Sequence, residues 1–334
     1  MKPRRFLTSA LIAAALAASG SAHASLTSFQ TYVGDYGVST AGWGAAPESS
    51  GTIEASVPVG ATVVAAYLYT STSGGLSAAD GGTLAGNTLA YTALPPVNWG
   101  GQAGRMDVTS IVAPLIDGGP GGVYNFAISE TNTYNQDGEA LVVVYSLASL
   151  PTSTIGILDG SSATSGDTTA INFATGLDPT APGFTATMAI GDGFSFDDTG
   201  CTGSGQTSTI TVDATVITNN AGCNDSSIPE TAIDGNLITV GGFINGFSPF
   251  LPSVANDHEF YNIAPQITTG DTTITVNTLN PSNDDNIFLA VFDVTGAGGV
   301  NAPPPNGVPE PLTLSLIGLG LAGLGFQRKF LKRS

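Results

Sequence analysis

The sequence predicts an all-β fold: two tandem β-sandwich, jelly-roll-like domains, flanked by a signal peptide and by a C-terminal single transmembrane helix. Three observations predict it. Short β-branched and aromatic segments recur along the body, separated by Gly, Asn, Asp and Pro turns. Long helical periodicity is absent between the two ends. One strand–loop–strand pattern occurs twice, at an offset of about 150 residues, a normal domain size.

Met1–Ala24 reads as a secretory signal peptide, with Lys2, Arg4 and Arg5 before the apolar run Phe6–Ala18 and Ala22-His23-Ala24 as the cleavage box. The mature chain is expected to start at Ser25. Strand signals follow in Ala61–Thr70, Glu139–Leu147, the alternating run Thr207–Thr218, Thr272–Thr278 and Ile287–Val294. The β-branched and aromatic content of these runs suits sandwich strands.

The repeat is read residue by residue. Arg105-Met-Asp-Val-Thr-Ser-Ile-Val-Ala-Pro is followed by a Gly turn, a strand, Asn135-Gln-Asp-Gly-Glu139 and a very apolar strand. His258-Glu-Phe-Tyr-Asn-Ile-Ala-Pro is followed by the same series, with Asn283-Asp-Asp-Asn286 as its loop. Each copy is expected to hold a short turn of helix at its Ile/Ala-Pro step. Val63–Tyr69 and Thr185–Ile190 correspond less clearly upstream. The expected division is residues 25–155 and 156–296, then a Gly/Pro/Asn-rich linker, 297–307, and a tail, 308–334. The segment Gly138–Gly160 also resembles extracellular β-domains of bacterial and archaeal surface proteins, which implies a surface module and no particular chemistry.

Charge narrows the function. The chain has 8 Lys and Arg against 26 Asp and Glu. Seven of the eight basic residues lie in the two ends, so Ser25–Val308 holds 25 acids and one base, Arg105. Such a surface repels nucleic acid and anionic membrane and suits calcium or a hydrated extracellular matrix. The only cysteines, Cys201 and Cys223, form an even pair in an exported chain and are expected to be disulfide-bonded, bridging two exposed loops. Closing that loop would contribute roughly 3 kcal/mol.

The chemistry legible in the body is limited. No G-x-S-x-G elbow accompanies the lone mature histidine, His258, whose match to Arg105 in the repeat favours a structural role. The adjacent pairs Asp197-Asp198 and Asp284-Asp285 would point to opposite faces of a strand, so they do not make a glycosidase pair. No cofactor is required, and the protein is read as a non-enzyme. Calcium, which takes six to eight oxygen ligands, is the candidate ion. Its candidate loops are Asp192 with Asp197 and Asp198, Asp137 with Glu139, and Asp284 with Asp285. The competing reading of those acids is solvated Asx turns. Trp43, Trp99, Tyr134 and Tyr261 are candidate sugar-stacking aromatics if exposed.

The tail identifies an address. Val308-Pro309-Glu310-Pro311 precedes an uncharged run, Leu312–Phe326, and a basic cluster of Arg328, Lys329, Lys332 and Arg333. As a helix the run spans roughly 22 Å at about 1.5 Å per residue, short for a ~30 Å hydrocarbon core. The basic tip would stay cytoplasmic. This arrangement resembles the PEP-CTERM sorting signal of bacterial envelope proteins. The resemblance implies processing by signal peptidase and an exosortase, a transient inner-membrane anchor, and then the cell surface or extracellular matrix. The function it suggests is a structural or adhesive protein of the envelope or exopolysaccharide matrix. The alternatives are a calcium-assisted carbohydrate-binding module and, behind it, a polysaccharide hydrolase or lyase.

Overall fold

The computed structural model describes residues 26–44, 49–96, 100–162, 166–195, 208–223, 238–242, 246–253, 256–282 and 285–300. The first half runs β1 (Thr27–Gly34), β2 (Tyr36–Trp43), β3 (Ser50–Val57), β4 (Thr62–Thr72), β5 (Gly82–Leu84), β6 (Asn87–Thr88), β7 (Thr92–Ala93), β8 (Gln102–Asp107), helix α1 (Thr109–Ile116), β9 (Gly122–Glu130) and β10 (Gln136–Ser146). The second runs β11 (Ser153–Asp159), β12 (Asp167–Phe173), β13 (Ala186–Gly193), β14 (Thr209–Val212), β15 (Thr215–Thr218), β16 (Ile238–Val240), β17 (Phe260–Asn262), a 3-10 turn (Ala264–Gln266), β18 (Thr273–Leu279), β19 (Asn286–Thr295) and β20 (Gly298–Val300).

These strands make four antiparallel sheets, and the strand order repeats. The first half forms β2-β10-β4-β8-β7 and β3-β9-β5-β6. The second forms β11-β19-β13, with β16 and β17 both on the far edge of β13, and β12-β18-β14-β15. Advancing each strand number by nine converts β2-β10-β4-β8 into β11-β19-β13-β17 and β3-β9-β5-β6 into β12-β18-β14-β15. The Ile/Ala-Pro steps are helix α1, with Pro114 inside it, and the 3-10 turn with Pro265. The upstream match is β4 against β13.

Two strands depart from a clean division at residue 155. β1 belongs to the second half's sheet, where it pairs with β11 from Thr27↔Asp159 to Gly34↔Ser153. β20 lies in the segment expected as linker and pairs with β12 from Phe173↔Gly298 to Ile171↔Val300. Glycine permits that approach, because a Cβ at Gly298 would sit 2.8 Å from Phe173 Cδ1.

Side-chain alternation explains the apolar runs. Along β10, Leu141, Val143 and Tyr145 enter one core, while Ala140, Val142 and Val144 enter another. Successive strand residues point to opposite faces, so a strand covered on both sides reads as a continuous hydrophobic run. β4 behaves likewise, with Ala66 and Leu68 on one face and Ala65, Tyr67 and Tyr69 on the other. One core lies between the two sheets of the first half, and another between those of the second. A third joins the halves, placing Val142, Val144 and Tyr69 with Ile155, Phe288 and Val291.

The alternating run 207–218 is not one strand. Asp213 and Ala214 have φ of 43° and 65° and turn the chain back between β14 and β15. Two successive left-handed residues give the type I′ geometry that matches the strand twist. Ala gives no composition signal for such a turn, and the alternation on either side hides it.

Candidate functional site

The matching ends of the two halves carry a seam of buried acids. In the first half Glu130 ends β9, and Asp137 and Glu139 begin β10. In the second, Asp192 lies near the end of β13, Asp257 and Glu259 lead into β17, and Asp285 precedes β19. Every one of these seven is buried. They collect there because the repeat places the start of β10 beside the end of β4, and the start of β19 beside the end of β13.

The first-half group is built around Glu139. Its Oε1 accepts from Gln136 Nε2 at 3.2 Å and from Tyr91 OH at 3.4 Å. Burial pushes Glu139 well up, and the neighbouring Glu130 charge adds to this. Burial pushes Glu130 up to about 8. Beside them Asp80 is different in kind. Its oxygens accept from Ser77 N, Asn132 Nδ2 and Asn135 Nδ2 at 2.7–2.9 Å, and these donors outweigh burial and hold it below the ordinary carboxylate range.

Asp137 reaches across to the second half, where its Oδ2 accepts from Phe194 N at 2.6 Å. Phe194 holds φ of 59° to make that approach. Asn286 Nδ2 donates to Ser71 Oγ at 3.4 Å beside it, so the two acidic corners meet.

The second-half group is the most enclosed. Asp257 Oδ2 accepts from Cys223 N at 2.8 Å. Glu259 Oε1 accepts from Gly222 N at 3.1 Å and Tyr261 OH at 3.2 Å. Asp285 Oδ2 accepts from Ser208 Oγ at 2.7 Å. The Asn286 backbone hydrogen-bonds to Asp192, and the carboxyls of Asp257 and Glu259 hydrogen-bond to each other. Burial drives Asp192 well up, and the charges of Asp285, Glu259 and Asp137 drive it further. Asp257 is raised by burial and then by Glu259. Gly222 makes this closeness feasible: its φ is +69°, and a Cβ there would lie 3.2 Å from Asp192 Cβ. Glu259 itself holds φ of 48°, a conformation that costs a non-glycine residue about 1–2 kcal/mol.

No cationic side chain balances the seam among the described residues. Arg105 pairs instead with Asp159, and its guanidinium lies 3.4 Å from the centre of the Phe29 ring. Burial lowers the pKa of His258, favouring the neutral imidazole. Among the described residues, no three His, Cys, Asp or Glu side chains are already gathered as metal ligands.

The structure thus brings Asp137, Glu139, Asp192 and Asp285 into one seam, and corrects the reading of them as solvated turn acids. Asx-type turns do occur at Asp107, Asp178 and Asn262, where each side chain accepts from the amide two residues on. Sequence reasoning missed Glu130, Asp257 and Glu259. The last two follow the repeat, since they directly precede a strand equivalent to β8, but nothing in composition marks them as buried. Cys223 is fully buried rather than in an exposed loop. Tyr261 is fully buried and Trp43 packs against the first-half core, so neither is a free stacking platform, whereas Tyr134 is 98% exposed. Asp197, Asp198, Asp284, Cys201, Trp99, the signal peptide, Val308–Pro311, the span 312–326, Arg328, Lys329, Lys332 and Arg333 lie outside the described residues. Among the described residues, no helix is long and apolar enough to cross a membrane.

Comparison with known proteins identifies the tail. Residues 307–329 match the PEP-CTERM protein-sorting motif. The motif implies processing by an exosortase, with export through a transient membrane-anchored state to a surface or extracellular location. A comparison with curated proteins returned no match. Among solved structures, one similar chain is a β-porphyranase of glycoside hydrolase family 86 from the human gut bacterium Bacteroides plebeius. It shares 8% identity at a TM-score of 0.17, over 85% of this chain and 38% of the porphyranase. A likeness at that level carries no argument about fold or activity.

Proposed function

We propose that the protein is a structural or adhesive component of the bacterial envelope or exopolysaccharide matrix. Its body would be a duplicated jelly-roll-like sandwich, stiffened by a Cys201–Cys223 bridge and freed from its signal peptide and basic tail. The observation that carries this reading is the enclosure of the seven acids of the seam. Glycoside hydrolysis needs two carboxyl groups flanking a bond that substrate can reach. Here the acids meet inside a body whose central strands are covered on both faces. Central strands packed on two sides make a stiff scaffold, and the acids left outside the seam, in a body with a single base, suit a hydrated matrix.

The test pairs sorting with role. In cells lacking the exosortase, the precursor is expected to stay in the membrane fraction and the matrix to lose cohesion. In cells lacking only this protein, the cohesion defect should recur with other sorted proteins still processed. Normal matrix in the second strain, together with depolymerisation of exopolysaccharide by the purified protein, would overturn the structural reading in favour of an enzyme.

A further inference from the structure

We propose that Thr70 and Gln136 join in an internal ester: the threonine hydroxyl attacks the glutamine side-chain amide, releases ammonia and cross-links β4 to β10. The proposal goes beyond the matrix role and stands apart from it, because the bond is scored in the purified chain.

One buried spot holds a nucleophile, a polarised carbonyl and a proton carrier. The nucleophile lies against an amide: Gln136 Nε2 donates to Thr70 Oγ1 at 3.3 Å, across neighbouring strands. The carbonyl is polarised by backbone amides of Gly81 and Asn132, which donate to Gln136 Oε1 at 3.1 and 3.3 Å. They fix which way the side-chain amide points, and they stand where negative charge gathers in a tetrahedral intermediate. The proton carrier is Glu139, whose Oε1 accepts from the same Nε2 at 3.2 Å. Glu139 is also the register partner of Thr70. Its carboxyl hydrogen-bonds to Glu130, and burial favours its protonated form.

A β-bulge assembles the group. Residues three apart on a regular strand face opposite sides, so Gln136 and Glu139 would not meet. The register of β10 on β4 slips between Gln136 and Gly138, which puts both on the Thr70 side. Water is kept out, since Thr70, Gln136 and Glu139 are each 2% exposed or less. An ester formed there is shielded from hydrolysis.

The step balances without an added reagent. At rest Thr70 Oγ1 donates to Gly138 O at 3.0 Å. Turning the hydroxyl lets its proton pass to the Glu139 carboxyl as Oγ1 bonds to Gln136 Cδ. The Cδ–Nε2 bond then breaks with its electron pair on nitrogen, the carboxyl returns a proton to Nε2, and ammonia leaves. Alcohols attack amides slowly in water, but groups held in place react as though at about 10⁵ M or more. The cross-link spans 66 positions of chain, so it restricts the unfolded state as a disulfide does.

Mass spectrometry tests this on the purified full chain. The folded protein should be lighter by one ammonia, and chymotryptic digestion should yield one joined pair of peptides holding Thr70 and Gln136. Hydroxylamine should separate the pair and leave a hydroxamate on Gln136. Thr70→Val should keep its ammonia and melt at a lower temperature, whereas Thr70→Ser should still react. Glu139→Gln should form the bond about a hundredfold more slowly, followed by mass in freshly synthesised chain. The unsubstituted protein decides the matter even if a variant fails to fold. Full mass after prolonged incubation, or ammonia lost from residues other than Gln136, overturns the proposal. So does ammonia lost from Gln136 in folded Thr70→Val, or a cross-link formed equally fast in folded Glu139→Gln.

Discussion

Replacing Arg105 by Met should destabilise the body strongly at neutral pH and weakly in acid. Arg105 on β8 pairs with Asp159 on β11, covers Phe29 on β1, and so joins first-half and second-half sheets. Asp159 is 5% exposed and also accepts from Tyr69 OH at 3.1 Å. Burial already raises its pKa, and the guanidinium is the main opposing pull. Removing one partner of a buried pair costs about 3–5 kcal/mol, and the lost cation–π contact adds about 1 kcal/mol. The stranded Asp159 has one escape, which is to fold protonated. Taking up a proton costs about 1.4 kcal/mol for each pH unit above the ordinary value near 3.9, hence roughly 5 kcal/mol at pH 7.5 and about 1 kcal/mol at pH 4.5. The sign follows: a folded pKa above the unfolded one means the native state holds more protons, so stability falls as pH rises between them. Urea melts of the full chain at both pH values measure this, read as midpoint shifts at constant slope. Arg105→Met should lose about 4–6 kcal/mol at pH 7.5 and about 2 kcal/mol or less at pH 4.5, with Asp159→Asn restoring most of the loss at pH 7.5. A cost below about 1 kcal/mol at pH 7.5, or equal costs at the two pH values, would refute the reasoning.

Glu130 is pushed up to about 8 by burial, so its carboxyl destabilises the fold increasingly as pH climbs from the ordinary carboxylate range towards 8. Glu130→Gln should therefore stabilise by about 1–3 kcal/mol at pH 8 and little at pH 4.5, measured by thermal melts across pH. Phe288 is fully buried in the core shared by the halves, with its ring 6.3 Å from that of Tyr69. Phe288→Ala should cost about 3–5 kcal/mol, and urea midpoints that barely move would mean the shared core contributes little. Ala214 holds φ of 65° in the β14–β15 turn. Ala214→Gly should gain about 0.5–1 kcal/mol by relieving left-handed strain, seen as a higher urea midpoint.

Much of the architecture was legible because strand chemistry is local. The runs around Val142 and Val291 read as apolar strands, and the paired Ile/Ala-Pro steps marked the repeated pattern that the strand order shows. The turn at Asp213-Ala214 was not legible, because alternation looks the same whether a chain continues or folds back. The excursion of β1 was hidden as well, since a half-exposed edge strand carries no mark of which sheet it will join. Among the site residues, Asp137, Glu139, Asp192 and Asp285 stood out for sitting near turns. Glu259 looked like one more charge beside a histidine.

The sequence by itself determined the address and the charge economy: a sorting motif at 307–329, and a body whose only base is Arg105. It also determined that the body is β and built on a repeated pattern. Tertiary structure alone decided where that charge goes. Burial is a property of neighbours contributed by distant strands, and no local pattern separates a solvated aspartate from one enclosed by Gly222, Glu259 and Asp285. Folding brought acids that read as surface loops into a buried seam that, among the described residues, has no cationic partner.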